Sequence, residues 1–360
     1  MVKKGSAVRL HAGVDGFNAR LLANLKSYSG SAALIWLAVY FYRHNVYYKN
    51  FLSHETQQTL LAIAIIYTVL GLFFYIFVST QRTVESRGII ILRALRRLAR
   101  EYGVYLKKLP SEARLKLPKP TEPERVAIFF AVVKLFFLPL MFNFLFGNYT
   151  GVKDNWSALH SSGAILTINN FNSVIYPLVF SLFLLIDTGF FCFGYSLESK
   201  YLGNKVRSVD PTFFGWGVAL ISYPPFNGLL GNYVNWYAND YAYFGSAKVT
   251  FYVRLVLLAL MGFYASASVA LGPKASNLTN RGIVGYGPYR LMRHPAYISK
   301  NLFWWITTFP VISVLTVFNM AVWSFVYFLR AITEERHLAR DPDYREYCQK
   351  VRYRFIPGVY

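Results

Sequence analysis

Five side chains able to do polar chemistry fall within nine residues of one passage: Tyr289, Arg290, Arg293, His294 and Tyr297. They supply hydrogen-bond donors and ring faces. The passage, residues 282–305, reads GIVGYGPYRLMRHPAYISKNLFWW and turns directly from polar residues into an apolar aromatic run. Gly285, Gly287 and Pro288 force a turn, because glycine reaches dihedrals that other residues avoid and proline fixes its own. Pro295 stands where a helix can begin without losing a hydrogen bond, which would put Tyr297 and Asn301 on one helical face. This is the profile of a membrane-surface site. It is equally the profile of a basic loop lying on anionic lipid with its tyrosines in the interfacial belt. A second group, Glu334 and Glu335, is a carboxylate pair in a run that also holds Arg330, Arg336 and Arg340. Ion pairs four residues apart on a solvated helix face would account for it without any function.

The elements that must position these groups follow from composition. Of 360 residues 55% are hydrophobic and 18% aromatic, with a net charge of +21, which excludes an ordinary soluble domain and a nucleic-acid binder with one basic face. Apolar runs long enough to cross a bilayer recur, so the expected fold is all-α, a polytopic integral membrane protein. Spans are expected at 27–42, 59–80, 126–148, 173–196, 211–233 and 249–271. A final apolar block, 298–330, is too long for one crossing, and Pro310 suggests a helical hairpin bending at 310–316. That makes about eight transmembrane helices, the last two forming the hairpin.

Between the second and third spans, residues 88–106 set Ile89, Ile90, Ile91, Leu92, Leu95 and Leu98 among Arg93, Arg96, Arg97 and Arg100, the pattern of an amphipathic helix on the membrane. Prolines at 110, 118, 120 and 123 then mark a linker. The resulting domains are a cytosolic N-terminus (1–26) carrying Lys3 and Lys4, two spans (27–80), a basic cytosolic loop (81–125), spans of unknown role (126–264) and a C-terminal core (265–360). The N-terminal apolar run starts too deep in the chain for a secretory signal. Alternating the spans from a cytosolic N-terminus puts all but six of the 38 Lys and Arg inside. Arg43, Lys49, Lys153 and Lys248 fall outside, and Lys134 and Arg254 lie within spans. That asymmetry fits the positive-inside rule and makes both termini cytosolic.

Lys134 and Asp187 would lie roughly 12–14 Å deep, at 1.5 Å per residue, and could pair as a structural ion pair or shape a substrate path. Arg254 sits near an outer boundary, where snorkelling explains it. Cys192 and Cys348 form no disulfide framework, and neither they nor the scattered histidines have metal-ligand spacing, so no metal is expected. The sequons at Asn148 and Asn155 fall in an expected outer loop. There is no internal repeat, phosphate loop, dinucleotide fingerprint or Ser/His/Asp arrangement.

The C-terminal third carries a family resemblance. GPYRLMRHPAY, then the hairpin, then Glu334-Glu335-Arg336 with Leu338, then YREYCQKVRYRFIP, resembles the membrane methyltransferases typified by isoprenylcysteine carboxyl methyltransferase and bacterial phospholipid N-methyltransferases, over about residues 265–360. The resemblance implies an S-adenosylmethionine site on the cytosolic side. It implies His294, Tyr297, Glu334 and Glu335 as cofactor contacts, with Tyr289, Tyr344, Tyr347 and Arg354 as further candidates. Arg293 is the expected catalytic residue, an orienting donor for a carboxylate acceptor. An amine acceptor would instead need deprotonation, for which the glutamates are suited. The family motif commonly continues Tyr-x-Gly, whereas this chain reads Tyr297-Ile298-Ser299. The ending YCQKVRYRFIP also resembles membrane sterol reductases, which use NADPH, and a non-catalytic lipid-binding membrane protein is a third class. The expected partners are membrane lipids and a lipophilic substrate arriving sideways from the bilayer, such as an isoprenylcysteine, a phospholipid amine or another isoprenoid. No nucleic acid is expected, and a homo-oligomer is possible. Trp304, Trp305 and Trp323 could line the lipid entrance, with lipid-facing or core packing as the default expectation.

Overall fold

Polar N-cap side chains begin most of the helices in the chain. A computed structural model of the protein describes residues 5–109, 116–161 and 167–359. Lys3, Lys4 and Pro110, singled out above, lie outside the described residues. The chain divides into two units, Met1–Leu135 and Phe136–Tyr360.

In the first unit, α1 (Gly5–His44) is one long helix that runs straight through the short span expected at 27–42. The Asn45 side chain caps α2 (Val46–Phe51), Ser53 caps α3 (His54–Val78) and Ser86 caps α4 (Arg87–Lys108). Buried Asn24 fastens the turn between α3 and α4: its Nδ2 donates to Ser79 Oγ (2.9 Å) and the Arg82 carbonyl (3.0 Å), and its Oδ1 accepts from the Val84 amide (2.7 Å). As expected, α4 is amphipathic. Its buried residues Gly88, Ile91 and Ala94 make the face toward α1, and a Cβ on Gly88 would stand 2.6 Å from Ser31 Cα, so only glycine fits. Arg93, Arg96 and Arg100 are exposed.

The next helix, α5 (Glu122–Ser161), contains the boundary between the units. It continues well past the expected end at Asn148, so Asn148 and Asn155 are helical rather than in an outer loop. In the second unit, α6 (Ile168–Asn170) passes through a π-helical turn (Phe171–Ile175) into α7 (Tyr176–Ser196). Then come β1 (Ser208–Val209), α8 (Phe213–Leu220), α9 (Asn227–Gly231) and α10 (Ala247–Leu271). The chain ends with β2 (Thr279–Asn280), α11 (Pro295–Thr308), α12 (Val314–Leu338) and α13 (Pro342–Lys350). The two short strands pair antiparallel, Ser208 opposite Asn280. The core lies among α7, α10, α11 and α12, around Tyr176, Phe180, Leu257, Met261, Phe303 and Met320.

The fold is all-α with these two strand fragments, and the expected count of eight crossings is not confirmed. Among the described residues, five helical stretches are long and apolar enough to cross a membrane: His54–Val78, Glu122–Ser161, Ile168–Ser196, Ala247–Lys274 and Val314–Leu338. The span expected at 211–233 is instead α8, a series of turns and α9, because Pro224 and Pro225 supply no amide donors and push the residue before each out of helical geometry. The final hairpin does form, through a 3₁₀ turn at Phe309–Val311 and a capping box of Ser313 and Thr316. Its first arm, α11, spans only about 21 Å, short of the ~30 Å hydrocarbon core.

Asp187 is buried and accepts from Tyr264 (2.8 Å) and from Ser268, both on α10, so hydroxyl donors one helix away satisfy its carboxylate. Arg254 does not snorkel. It is 7% exposed, donates to the carbonyls of Asn172, Tyr241 (3.0 Å) and Ala242 (3.4 Å), and lies over the Tyr176 ring, so it closes the α9–α10 loop onto the start of α7.

Candidate functional site

The Arg-His-Pro turn and the C-terminal tail are brought together by main-chain bonds. The amides of Arg293 and His294 donate to the carbonyls of Tyr353 and Arg354 (both 2.9 Å). Just before, Gly287 has a φ of 60°, the left-handed region glycine tolerates, and starts the 3₁₀ turn Gly287–Arg290. Pro295 opens α11 at its first position, as the sequence suggests. Ser299, standing where the family motif has glycine, is buried and donates to the Pro295 carbonyl (2.8 Å), so its hydroxyl is absorbed locally.

Glu334 and Glu335 are adjacent on α12 but have opposite surroundings. Glu335 is enclosed by a basic bracket. Its Oε1 faces His294 Nε2 (3.1 Å), and its Oε2 accepts from Arg293 Nη1 (3.2 Å) and Arg354 Nε (2.9 Å). With 7% of its surface exposed, it is a partner to the chain's own cations. Glu334 accepts from the Tyr297 hydroxyl (3.0 Å), lies 3.9 Å from His294 Nδ1 and keeps about a third of its side chain open, 35%. It lines a cavity of about 1110 Å³ wholly within the second unit. The His294 and Tyr297 rings stack with centroids 5.4 Å apart and a 2° interplanar angle.

Most of the residues singled out from the sequence meet here. Tyr289, Arg293, His294, Tyr297, Glu334, Tyr344 and Tyr347 all line the cavity; Glu335 and Arg354 do not. Within that pair the Arg354 Nε donates to Glu335, whose oxygens also meet His294 and Arg293. Arg293, expected as an orienting donor, turns Nη1 to Glu335 and Cys348 Sγ (3.5 Å) and Nη2 to the Arg352 carbonyl (3.0 Å). Its guanidinium holds the bracket and the tail. The Tyr347 hydroxyl donates to the Tyr289 carbonyl (2.7 Å), and Tyr344, Tyr347 and Val351 pack with Ile283, Tyr289 and Leu338. Burial raises the phenols of Tyr289, Tyr344 and Tyr347 above their ordinary range, so they are neutral at physiological pH.

Several cavity residues were not read from the sequence as site residues. Arg330, taken there as a partner of Glu334, instead donates from Nη2 to Asn277 Oδ1 (2.5 Å) and the Tyr223 hydroxyl (3.4 Å). It lies over the rings of Tyr223, Tyr297 and Tyr327 at 5.3, 5.5 and 5.7 Å. Lys300, one turn beyond Tyr297, lies over the Tyr264 and Trp304 rings at 5.2 and 5.3 Å. Trp304 and Trp323 are buried and line the cavity rather than facing lipid, each edge-on to Trp236. The signal available in advance was an arginine inside the last apolar run and a lysine in register with the motif. Neither says which way a side chain points.

The β1–β2 pair fixes α13 beneath the cavity. Arg207 Nη1 binds Asp341 (2.9 Å) and Asp343 (2.5 Å), Asn280 Nδ2 donates to Asp341 (2.7 Å), and Ser208 Oγ meets His337 Nε2 (2.9 Å). A search of curated proteins gives no match to the chain. Residues 251–341, from within α10 to the α13 N-cap Asp341, match the family model for phospholipid methyltransferases, overlapping the stretch that carries the motif resemblance.

Proposed function

We propose that the protein uses S-adenosylmethionine to methylate a lipophilic acceptor in the membrane. The observation that carries this reading is Glu334: a carboxylate held by Tyr297 on the wall of a large cavity, inside the family-matched segment, beside a second glutamate that is fully committed elsewhere. The residues fit such a cofactor. Glu334 has acceptor capacity left for ribose hydroxyls or an ammonium group, and the guanidinium of Arg330 suits a carboxylate. Tyr344 and Tyr347, both buried, and the partly buried Tyr289 offer apolar ring faces. When bound, the cofactor supplies a methyl group activated by a sulfonium. In-line displacement of that kind needs alignment, dry surroundings and charge control more than covalent help.

The chain's own contribution is positioning. The bracket around Glu335 locks His294 and Arg293 against the tail, which fixes the Tyr297 ring and through its hydroxyl the Glu334 carboxylate. The same arrangement keeps the sterol-reductase reading distinguishable, because that reading assigns Glu334 no cofactor role. The reaction is assigned to the cytosolic face, the side on which the charge pattern puts the motif.

Calorimetric titration of S-adenosylhomocysteine and of NADPH, separately, into the purified protein in detergent tests the proposal. Binding of the first alone, weakened about tenfold or more by Glu334→Gln through loss of a charge-assisted hydrogen bond, is expected. Binding of NADPH alone would move the chain to the reductases. Binding of neither would leave a lipid-binding protein.

A further inference from the structure

The acids that line the cavity, Asp187, Asp240 and Glu334, are committed to different degrees. Asp187 accepts from the hydroxyls of Tyr264 and Ser268, and Glu334 from that of Tyr297. Among the described residues no hydrogen bond reaches the Asp240 carboxylate; what acts on it is the charge of Lys300, on α11. Burial raises the Asp240 carboxyl above its ordinary range, and Lys300 partly offsets the rise. Tyr176 and Tyr241 are the other titratable groups within its field. A half-buried acid without donors is unfavourable by itself and is stabilised by a ligand that brings it a proton or a positive charge.

The loop that carries Asp240, residues 232–246 between α9 and α10, is pinned on both sides of it. Buried Tyr176 donates its hydroxyl to the Asp240 carbonyl (2.7 Å), and Arg254 donates to the next two carbonyls, those of Tyr241 (3.0 Å) and Ala242 (3.4 Å). Asn239 closes a turn around Asp240: its Oδ1 accepts from the Tyr241 amide and its carbonyl from the Ala242 amide (both 3.0 Å). Trp236 packs the loop onto the α11–α12 hairpin, edge-on to Trp304 (4.7 Å) and Trp323 (5.5 Å). The main chain is thus fixed at residues 240–242, while the side chain at 240 is left open to a ligand. A group that must meet a reacting atom is held in this way. Its place suits that task. Along α11, Lys300 follows Tyr297 by one turn and Trp304 by two, about 5 and 10 Å from the residue that holds Glu334.

We propose that Asp240 takes a proton from the methyl acceptor, whose reacting group is an amine. The proposal rests on the methyltransferase reading for the transfer step and names the reacting group within it. The bound ammonium gives a proton to Asp240, an N–H bond breaking as an O–H bond forms. The freed nitrogen lone pair then forms the N–C bond to the methyl group, whose bond to sulfur breaks with its electrons staying on sulfur. Asp240 gives the proton up to solvent as the product leaves. A carboxylate of raised basicity among aromatic rings suits a general base, whereas an acceptor carboxylate has no proton to lose and would leave Asp240 unused. Asp240 precedes the family-matched segment, so the base is supplied by a part of the chain that the family model does not cover.

The test uses the full-length protein in phosphatidylcholine nanodiscs, which offer no competing primary amine. Dicyclohexylcarbodiimide adds to protonated carboxyls reached from apolar surroundings, and peptide mass spectrometry maps the adducts. An adduct on Asp240 is expected, growing as pH falls. Hexadecylamine should reduce it about tenfold through a charge-assisted hydrogen bond, and hexadecanoate should not. Lys300→Met should move the labelling to higher pH, because the cation that favours the ionised carboxyl is gone. No adduct on Asp240 at any pH, or equal protection by both amphiphiles, overturns the proposal. Asp240→Asn should keep the wild-type melting temperature and S-adenosylhomocysteine affinity, since its carboxylate ties down no element of the fold. A loss of that affinity by about tenfold or more would make Asp240 a cofactor contact and overturn its role as base. Protection by hexadecylamine in wild-type protein that does not bind S-adenosylhomocysteine would overturn the methyltransferase reading and leave the amine site standing.

Discussion

The family-matched segment, residues 251–341, and the segment before it, residues 136–250, line one cavity with different materials. The former contributes Arg293, His294, Tyr297, Lys300, Arg330 and Glu334, polar groups in ordered contact with one another and with the tail. The latter contributes Met141, Phe144, Leu184, Phe191 and three glycines beside Asn143, Asn148, Thr188, Ser222 and Asn227, with Asp187 and Asp240 as its acids. In the first region side chains are held by bonds to other side chains, so removing one leaves a partner stranded. In the second, bonds to the main chain hold the loop at 240–242 while the Asp240 carboxylate takes none, so changing that side chain tests chemistry rather than stability. Aligning a cofactor needs the first construction, and meeting a ligand's proton needs the second.

The contrast can be broken most sharply at the glutamate pair. Glu335→Ala strands Arg293 and Arg354 and should cost about 3–5 kcal/mol, the loss expected when one partner of a buried ionic group is removed. A large fall in the melting temperature in detergent, accompanied by lost cofactor binding, is the expected result. Unchanged melting would mean that the bracket does not organise the polar end. Arg254→Met comes next. It removes donors to three carbonyls of the preceding segment and the contact over Tyr176, and should cost about 2–4 kcal/mol. Increased proteolysis of the loop at 234–246 would accompany it, whereas wild-type resistance would show that the loop is held by other contacts.

Glu334→Gln is the sharpening counterpart. It should leave the melting temperature within the shift of about 1 kcal/mol, because among the described residues Tyr297 is the one hydrogen-bond partner of the carboxylate, with His294 Nδ1 at 3.9 Å, while cofactor affinity falls. Equal destabilisation by the Glu334 and Glu335 substitutions would erase the distinction drawn between them.

The smallest effect concerns pH. Burial raises the Asp341 carboxyl, but hydrogen bonds from Asn280, Arg207 and the Asp343 amide outweigh it and hold the carboxyl below its ordinary range. Its contribution to stability is therefore fully present above the unfolded value of about 4 and is lost as pH falls through the lowered folded value. Asp341→Asn should lower stability at pH 7 and flatten the acid side of the stability profile, so that variant and wild type converge at low pH.

Much of the polar end was legible because its information is local. Arg293 to Tyr297 occupy little more than one helical turn, Pro295 starts that turn, and Glu334 follows an apolar run whose bend is marked by Pro310. What could not be read was orientation. Glu334 and Glu335 are neighbours in sequence and both polar, yet a rotation of about 100° along the helix sends one to the cavity and the other to the bracket. Tyr353 and Arg354 join the site through their carbonyls, which every residue possesses and no composition marks. The failure at 211–233 had a visible cause: hydropathy counts Pro224 and Pro225 as ordinary members of an apolar run, whereas helix geometry does not.

By itself the sequence determined the class of the protein. Apolar runs of membrane-crossing length impose helices because backbone groups in hydrocarbon must bond within their own segment, and short motifs impose local turns through glycine and proline dihedrals. Only the tertiary structure decided which cations enclose Glu335 and that Asp187 is satisfied by Tyr264 and Ser268. These depend on the relative rotation and spacing of helices distant in the chain, and such quantities are set by packing between elements, on which periodicity within any one element is silent.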